Sequence, residues 1–179
     1  RDDLSSLWLE LVDALHPLPL RWGFWSPWLD VLGQAADKAA GLDRPALRAR
    51  FLAHMAALFL ETAHPDAALE KACEALDQAG KAADGYSLAL AGSRAAGALI
   101  GLGRYEEAKK MLLDIRRQFD SLSASSMPGP SVVLARTLLD MEEMDLARQD
   151  GRLAEAIAIG DRLIAALEAE DMAGLDTAL

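Results

Sequence analysis

The sequence predicts an all-α protein, a right-handed α-solenoid built from helical hairpins with a period of about 40 residues. Three observations carry this. The chain of 179 residues is 52% hydrophobic, and much of that is alanine in runs such as DKAAGL and AGSRAAGALI, which suit close-packed helices better than strands. Apolar side chains recur at helical intervals, as in Leu112 with Ile115 and Ile159 with Leu163. Finally, GRYEEA at 103–108 recurs as GRLAEA at 151–156, while AHPDAA at 63–68 and GFWSPW at 23–28 lie 40 and 80 residues upstream of Gly103.

The elements follow in order. The first hairpin pairs a helix over 3–20 with one over 26–41. The second pairs 45–61 with 65–79, and Pro45 and Pro65 fit first helical turns, where the missing N–H is harmless. The third pairs 85–101 with 105–120. Glu106 and Glu107 complement the dipole at the start of its second helix, and Arg116 and Arg117 lie toward the end. The fourth pairs 131–149 with 152–169, opening near Pro130. SLSASSMPGPS at 121–131 reads as a longer loop, and 171–179 as the start of a further helix. The whole is one repeat domain. Arg1 and Leu179 read as cut ends of a longer protein.

Charge and cysteine content narrow the function. The net charge is −10, and residues 140–179 hold eleven acids against Arg148, Arg152 and Arg162, so nucleic acid is excluded as a partner class. Cys73 stands alone, which leaves no disulfide framework or thiolate metal site and suits a cytoplasmic protein. Charged residues interrupt every apolar run short of a membrane span.

The pair Gly101 and Gly103 in GLGRYEEA invites a phosphate-cradle reading, but a dinucleotide loop needs a third glycine where Glu106 stands, and a preceding strand. Gly-Lys-Ser/Thr is also absent. Gly103 is read instead as the residue that closes a helix. With GRYxEA closing a hairpin and small residues at Ala96 and Ala108, the chain resembles the tetratricopeptide repeat in a variety of about 40 residues. The likeness is best over 85–120 and weakest over 131–169, where Met144 takes the place of a small residue. RWGFWSPWLDVLGQAADKA further resembles the helical sensor regions of bacterial signal-transduction ATPases of the STAND class and related regulators.

The resemblance implies that the first helix of each pair lines a concave surface. It places Arg50, Ala53, His54, Ala57 and Glu61 there, then Leu90, Ser93, Arg94, Gly97 and Gly101, then Met141, Glu142, Asp145 and Arg148. Arg50 and Arg94 are expected to clamp a carboxylate or phosphate, with His54 and Ser93 as hydrogen-bonding neighbours. The binding set is Arg50, His54, Glu61, Ser93, Arg94, Glu142, Asp145 and Arg148. Gly97 and Gly101 each cost a helix about 1 kcal/mol relative to alanine and call for a compensating use, either close packing or room for a ligand.

Other residues read as structural. Trp8, Trp22, Trp25 and Trp28 pack the first hairpin, Trp22 being the candidate for exposure. His16, His54 and His64 carry no HExxH pattern and read as surface or capping histidines. Glu142, Glu143 and Asp145 give no sign of the distinct environments that acid/base work needs. Cys73 is expected to be buried and inert. The function expected is therefore that of a non-catalytic interaction or sensing module for a protein, a peptide or a small effector, with no cofactor, metal, nucleic acid or membrane. The alternative is a structural module that self-associates into a homodimer or larger assembly.

Overall fold

The computed structural model describes the backbone of residues 2–16, 23–126 and 129–176, and side chains over 4–16, 23–122 and 131–169. Helical spacing of apolar residues, interrupted by single residues of positive φ, produces eight helices and no strand among them. They are α1 (Asp2–Leu15), α2 (Trp25–Gly41), α3 (Pro45–Glu61), α4 (Pro65–Ala82), α5 (Gly85–Gly101), α6 (Tyr105–Ser126), α7 (Gly129–Gln149) and α8 (Leu153–Asp176).

The turns share one chemistry. Gly23, Asp43, Ala63, Ala83, Gly103 and Gly151 are left-handed, and the first five lie 20 residues apart. After α5 the Gly103 N–H donates to the Ile100 carbonyl (2.9 Å) and the Arg104 N–H to that of Leu99 (2.8 Å). This pair of bonds satisfies carbonyls that the helix end leaves open and turns the chain sharply. It recurs from Ala63 and His64 to Leu60 and Phe59, and from Gly151 and Arg152 to Arg148 and Ala147. Gly103 thus closes a helix, as expected. At the start of α5 the Asp84 carboxylate accepts from the Ser87 N–H at 3.0 Å, a side-chain N-cap.

Extensive packing joins helices one or two places apart in the chain. Helix α3 packs on α1, α2, α4 and α5; α5 on α3, α4, α6 and α7; α7 on α5, α6 and α8. Alanine lets backbones approach: Ala68, Ala72, Ala75 and Ala79 form the buried stripe of α4 at helical spacing. Gly92 goes further, since a Cβ there would lie 2.7 Å from Cγ2 of Ile115. Phe51, Phe119, Leu9, Leu32, Leu58 and Leu139 are the largest fully buried apolar side chains. None of the described helices is long and apolar enough to cross a membrane.

The all-helical expectation holds, and the element ends differ in three places. Helix α1 stops at Leu15, and residues 17–22, Trp22 among them, lie outside the described set. Helix α6 runs on through Ser126, because serine and alanine tolerate a helix once it is propagating; only 127–128 then separate it from α7. Residues 171–176 continue α8 rather than opening a new helix. Trp8, Trp25 and Trp28 are partly buried against the core. Cys73, expected inside, is exposed, because it sits one residue round from Ala72 in the buried stripe.

Candidate functional site

Four helices of odd number, α1, α3, α5 and α7, bring polar side chains together across an otherwise alanine-rich interior. Asp13 of α1 receives a 2.7 Å hydrogen bond from Nη1 of Arg50 on α3 and faces Nε2 of His54, also on α3, at 3.5 Å. His16 donates from Nδ1 to the Asp13 carbonyl at 2.9 Å, since a carbonyl can only accept. Its ring stacks on that of His54 with centroids 3.6 Å apart and planes 13° from parallel. The Arg50 guanidinium also lies 5.6 Å from the centre of the Tyr86 ring, the first side chain of α5. About two turns further along α5 come Ser93, fully buried, and Arg94. From α7, Glu142 accepts a 3.0 Å hydrogen bond from the Ser93 hydroxyl.

Burial sets the charge states. His54 is 4% exposed, and burial drives its pKa from 6.5 down to about 4, against the pull of Asp13 and with help from the charges of His16 and Arg94. Burial likewise lowers His16, so the stacked pair is neutral at pH 7. For Asp13, burial raises the pKa, but the His54 contact and Arg50 outweigh it and hold the carboxylate below its usual range. Burial pushes Glu142 above its usual range, and Arg94 and the Ser93 hydroxyl offset this only in part.

Arg94 differs from every other cation in the cluster. Among the described residues it makes no hydrogen bond or close ion pair, and its Nε, like that of Arg50, is buried without an acceptor. An unpaired guanidinium in a partly desolvated setting is a donor fork waiting for an acceptor. Gly97, one turn beyond Ser93, keeps the adjoining space open: a Cβ there would come within 3.2 Å of the Glu142 carboxylate. Gly101 serves packing instead, meeting Pro65 at the start of α4.

The chain matches no protein-family model, no curated protein and no solved structure. The reading of the site therefore rests on its own geometry. Five residues expected on the concave surface, Arg50, His54, Ser93, Arg94 and Glu142, lie in this cluster. His54 and Ser93 are buried inside it, so they support neighbours rather than present themselves, and His54 is neither a surface nor a capping histidine. Arg50 is held by Asp13. The other three expected residues are elsewhere. Glu61 is exposed at the last position of α3. Asp145 and Arg148 close on each other through bonds of 2.6 and 2.9 Å and line a separate groove between α7 and α8. Glu143 is bound by Arg116 of α6 at 2.8 Å, which leaves Glu142 as the carboxylate facing Arg94.

Asp13, His16 and Tyr86 were not foreseen. A signal existed for Asp13, which precedes Ala53 and Ser93 by 40 and 80 residues and so shares their repeat position. Chemically, the cluster offers an ionised Asp13 and a neutral imidazole pair, but among the described residues no serine, threonine or cysteine side chain hydrogen-bonds either ring of the pair. No described group of three or more histidine, cysteine or acidic residues is arranged to hold a metal ion. The arrangement can offer an anion the Arg94 guanidinium, with Glu142 beside it rejecting a misplaced negative charge.

Proposed function

We propose that this chain is a non-catalytic binding module of tetratricopeptide-like hairpins, a right-handed α-solenoid whose odd-numbered helices present a ligand-binding face. Its ligand carries a carboxylate or phosphate, borne on a peptide, a protein or a small effector. The resemblance of the tryptophan-rich segment to helical sensor regions supports a role as the sensing arm of a bacterial signalling protein in the cytoplasm. Among the described residues, extensive packing runs from each hairpin to the next, which supports the solenoid reading. The observation that carries the binding reading is Arg94: its guanidinium has no acceptor among the described residues, yet Ser93, Gly97 and Glu142 are ordered around it. Leaving a buried donor unpaired costs about 1–3 kcal/mol, a cost that a bound acceptor removes.

Isothermal titration with inorganic phosphate, citrate and a glutamate-rich peptide tests this. At least one probe binds the wild type. Arg94→Gln weakens that probe by about ten- to a hundredfold, the worth of a charge-assisted hydrogen bond. Arg94→Lys retains part of the affinity because it keeps the charge and loses the fork. The surface control Arg136→Gln leaves it unchanged. Equal affinity in wild type and Arg94→Gln contradicts the reading.

A further inference from the structure

The groove between α7 and α8 is a second surface, independent of the Arg94 cluster. It has a volume of about 470 Å³ and is lined by Met144, Leu153, Ile157, Gly160 and Ile164, with Asp145 and Asp161 at its edge. Its apolar side chains face solvent: Ile157 is 64% exposed and Ile164 57%. Exposed apolar residues are common singly, but a row on one groove marks a docking surface.

What fits there follows from the rest of the molecule. Helix α3 packs on both helices of the pair α1 and α2, α5 on both α3 and α4, and α7 on both α5 and α6. Every earlier hairpin therefore seats a helix in the place that the α7/α8 pair leaves open among the described residues. The shape is that of a seat for one helix. Gly160 deepens it, because it bears no side chain and Met144 lies against its backbone; a Cβ there would be 3.5 Å from Sδ.

The sign of charge then selects the kind of helix. Residues 140–179 carry eleven acids and three arginines, a charge of −8. Arg148 is occupied by Asp145, and Arg152 by Asp150 and Glu155. Asp161 and Glu168 are exposed on α8 and make no ion pair among the described residues, nor does the single exposed cation beside them, Arg162. A second copy of this chain is a poor occupant. The exposed apolar row of α1, formed by Leu4, Leu7, Leu11 and Leu15, has the right spacing, but the exposed Glu10 accompanies it, and a second chain of net charge −10 is repelled by the acidic rim.

We propose that the α7/α8 groove docks an amphipathic helix of a partner protein, apolar on one face and flanked by lysine or arginine. Ile157 and Ile164 supply the apolar contact, and Asp161 and Glu168 pair with the flanking cations.

The test uses two fluorescein-labelled 18-residue helices of the same apolar pattern, one of leucine and lysine and the other of leucine and glutamate, followed by fluorescence anisotropy. The lysine peptide binds, and the glutamate peptide binds at least tenfold more weakly. Ile157→Ser with Ile164→Ser lowers affinity for the lysine peptide by about tenfold or more, as loss of two buried aliphatic side chains requires. Asp161→Asn with Glu168→Gln lowers it in 50 mM salt and much less in 500 mM salt. All four positions are exposed, and circular dichroism checks that the variants remain helical. Three outcomes overturn the proposal: equal binding of both peptides, equal binding by wild type and the double serine variant, or a wild-type dimer in light scattering that this variant converts to monomer.

Discussion

Helices α5 and α8 have nearly the same apolar content, ten of seventeen residues against fifteen of twenty-four, yet they are buried to very different degrees. Helix α5 buries thirteen residues, polar Ser87 and Ser93 among them. Among its described side chains, α8 buries only Ala156, Ile159 and Leu163. Composition does not set the difference; neighbours do. Helix α5 has partners on α3, α4, α6 and α7, whereas α8 packs extensively on α7 alone. Helical stability in such a chain comes from the apolar face that a neighbour covers, because a short isolated helix is marginal in water. The same contrast separates the two candidate surfaces, one polar and enclosed around α5, the other apolar and open on α8.

The largest effect expected from this contrast is in core truncation. Leu99→Ala in α5, where the side chain is 2% exposed, costs about 2–5 kcal/mol in urea unfolding, while Ile157→Ala in α8 costs under about 0.5 kcal/mol. Comparable losses at both sites would break the comparison.

Acid separates the regions next. His54 binds its proton near pH 4 in the folded chain and near 6.5 when unfolded. Between these values the unfolded chain holds more protons, so stability is full above about pH 6.5 and falls as pH drops toward 4, by about 3 kcal/mol. His16 acts in the same direction. Glu142, raised by burial, acts in the opposite one, gaining stability as it protonates. Urea titrations from pH 7 to 4.5 measure the slope, which flattens in His54→Gln. An unchanged slope in that variant removes the buried imidazole as its cause.

A pair of glycine substitutions is smaller in effect. Gly92→Ala places a methyl 2.7 Å from Ile115 and destabilises by about 1–3 kcal/mol, overpacking outweighing the better helix propensity. Gly160→Ala meets only ordinary contact with Met144 and stabilises by about 0.5–1 kcal/mol. Thermal unfolding distinguishes the two signs.

Turns give an effect of equal size in both regions, because strain there is local. Ala83 before α5 holds φ at 50°, and Ala83→Gly relieves about 1 kcal/mol; Gly151 before α8 holds φ at 74°, and Gly151→Ala costs a similar amount. Unequal changes would mean that the turns sense their neighbours after all.

Much of this was legible in the sequence, since helices declare themselves through apolar spacing and through glycine or proline at their ends. What escaped was set by context. The serines at 121–126 were read as a loop from composition, but a helix already formed carries them. Cys73 and Ala72 are adjacent, and a rotation of about 100° decides which is inside. In the candidate site, position in the repeat singled out Arg50, His54, Ser93, Arg94 and Glu142, but it carried no information about pairing. That Asp13 occupies Arg50 and leaves Arg94 open depends on where α1 comes to rest. Arg148 is six residues from Glu142, about 240° round the helix, so it faces α8 instead of the cluster.

The central claim is that Arg94 is the open cation of the binding face. Nitrogen-15 NMR of the arginine side chains during a citrate or phosphate titration reads each guanidinium directly. The account predicts that the Arg94 Nε resonance shifts with saturation while that of Arg50, already held by Asp13, stays in place. Saturable shifts at Arg50 with none at Arg94 would contradict it.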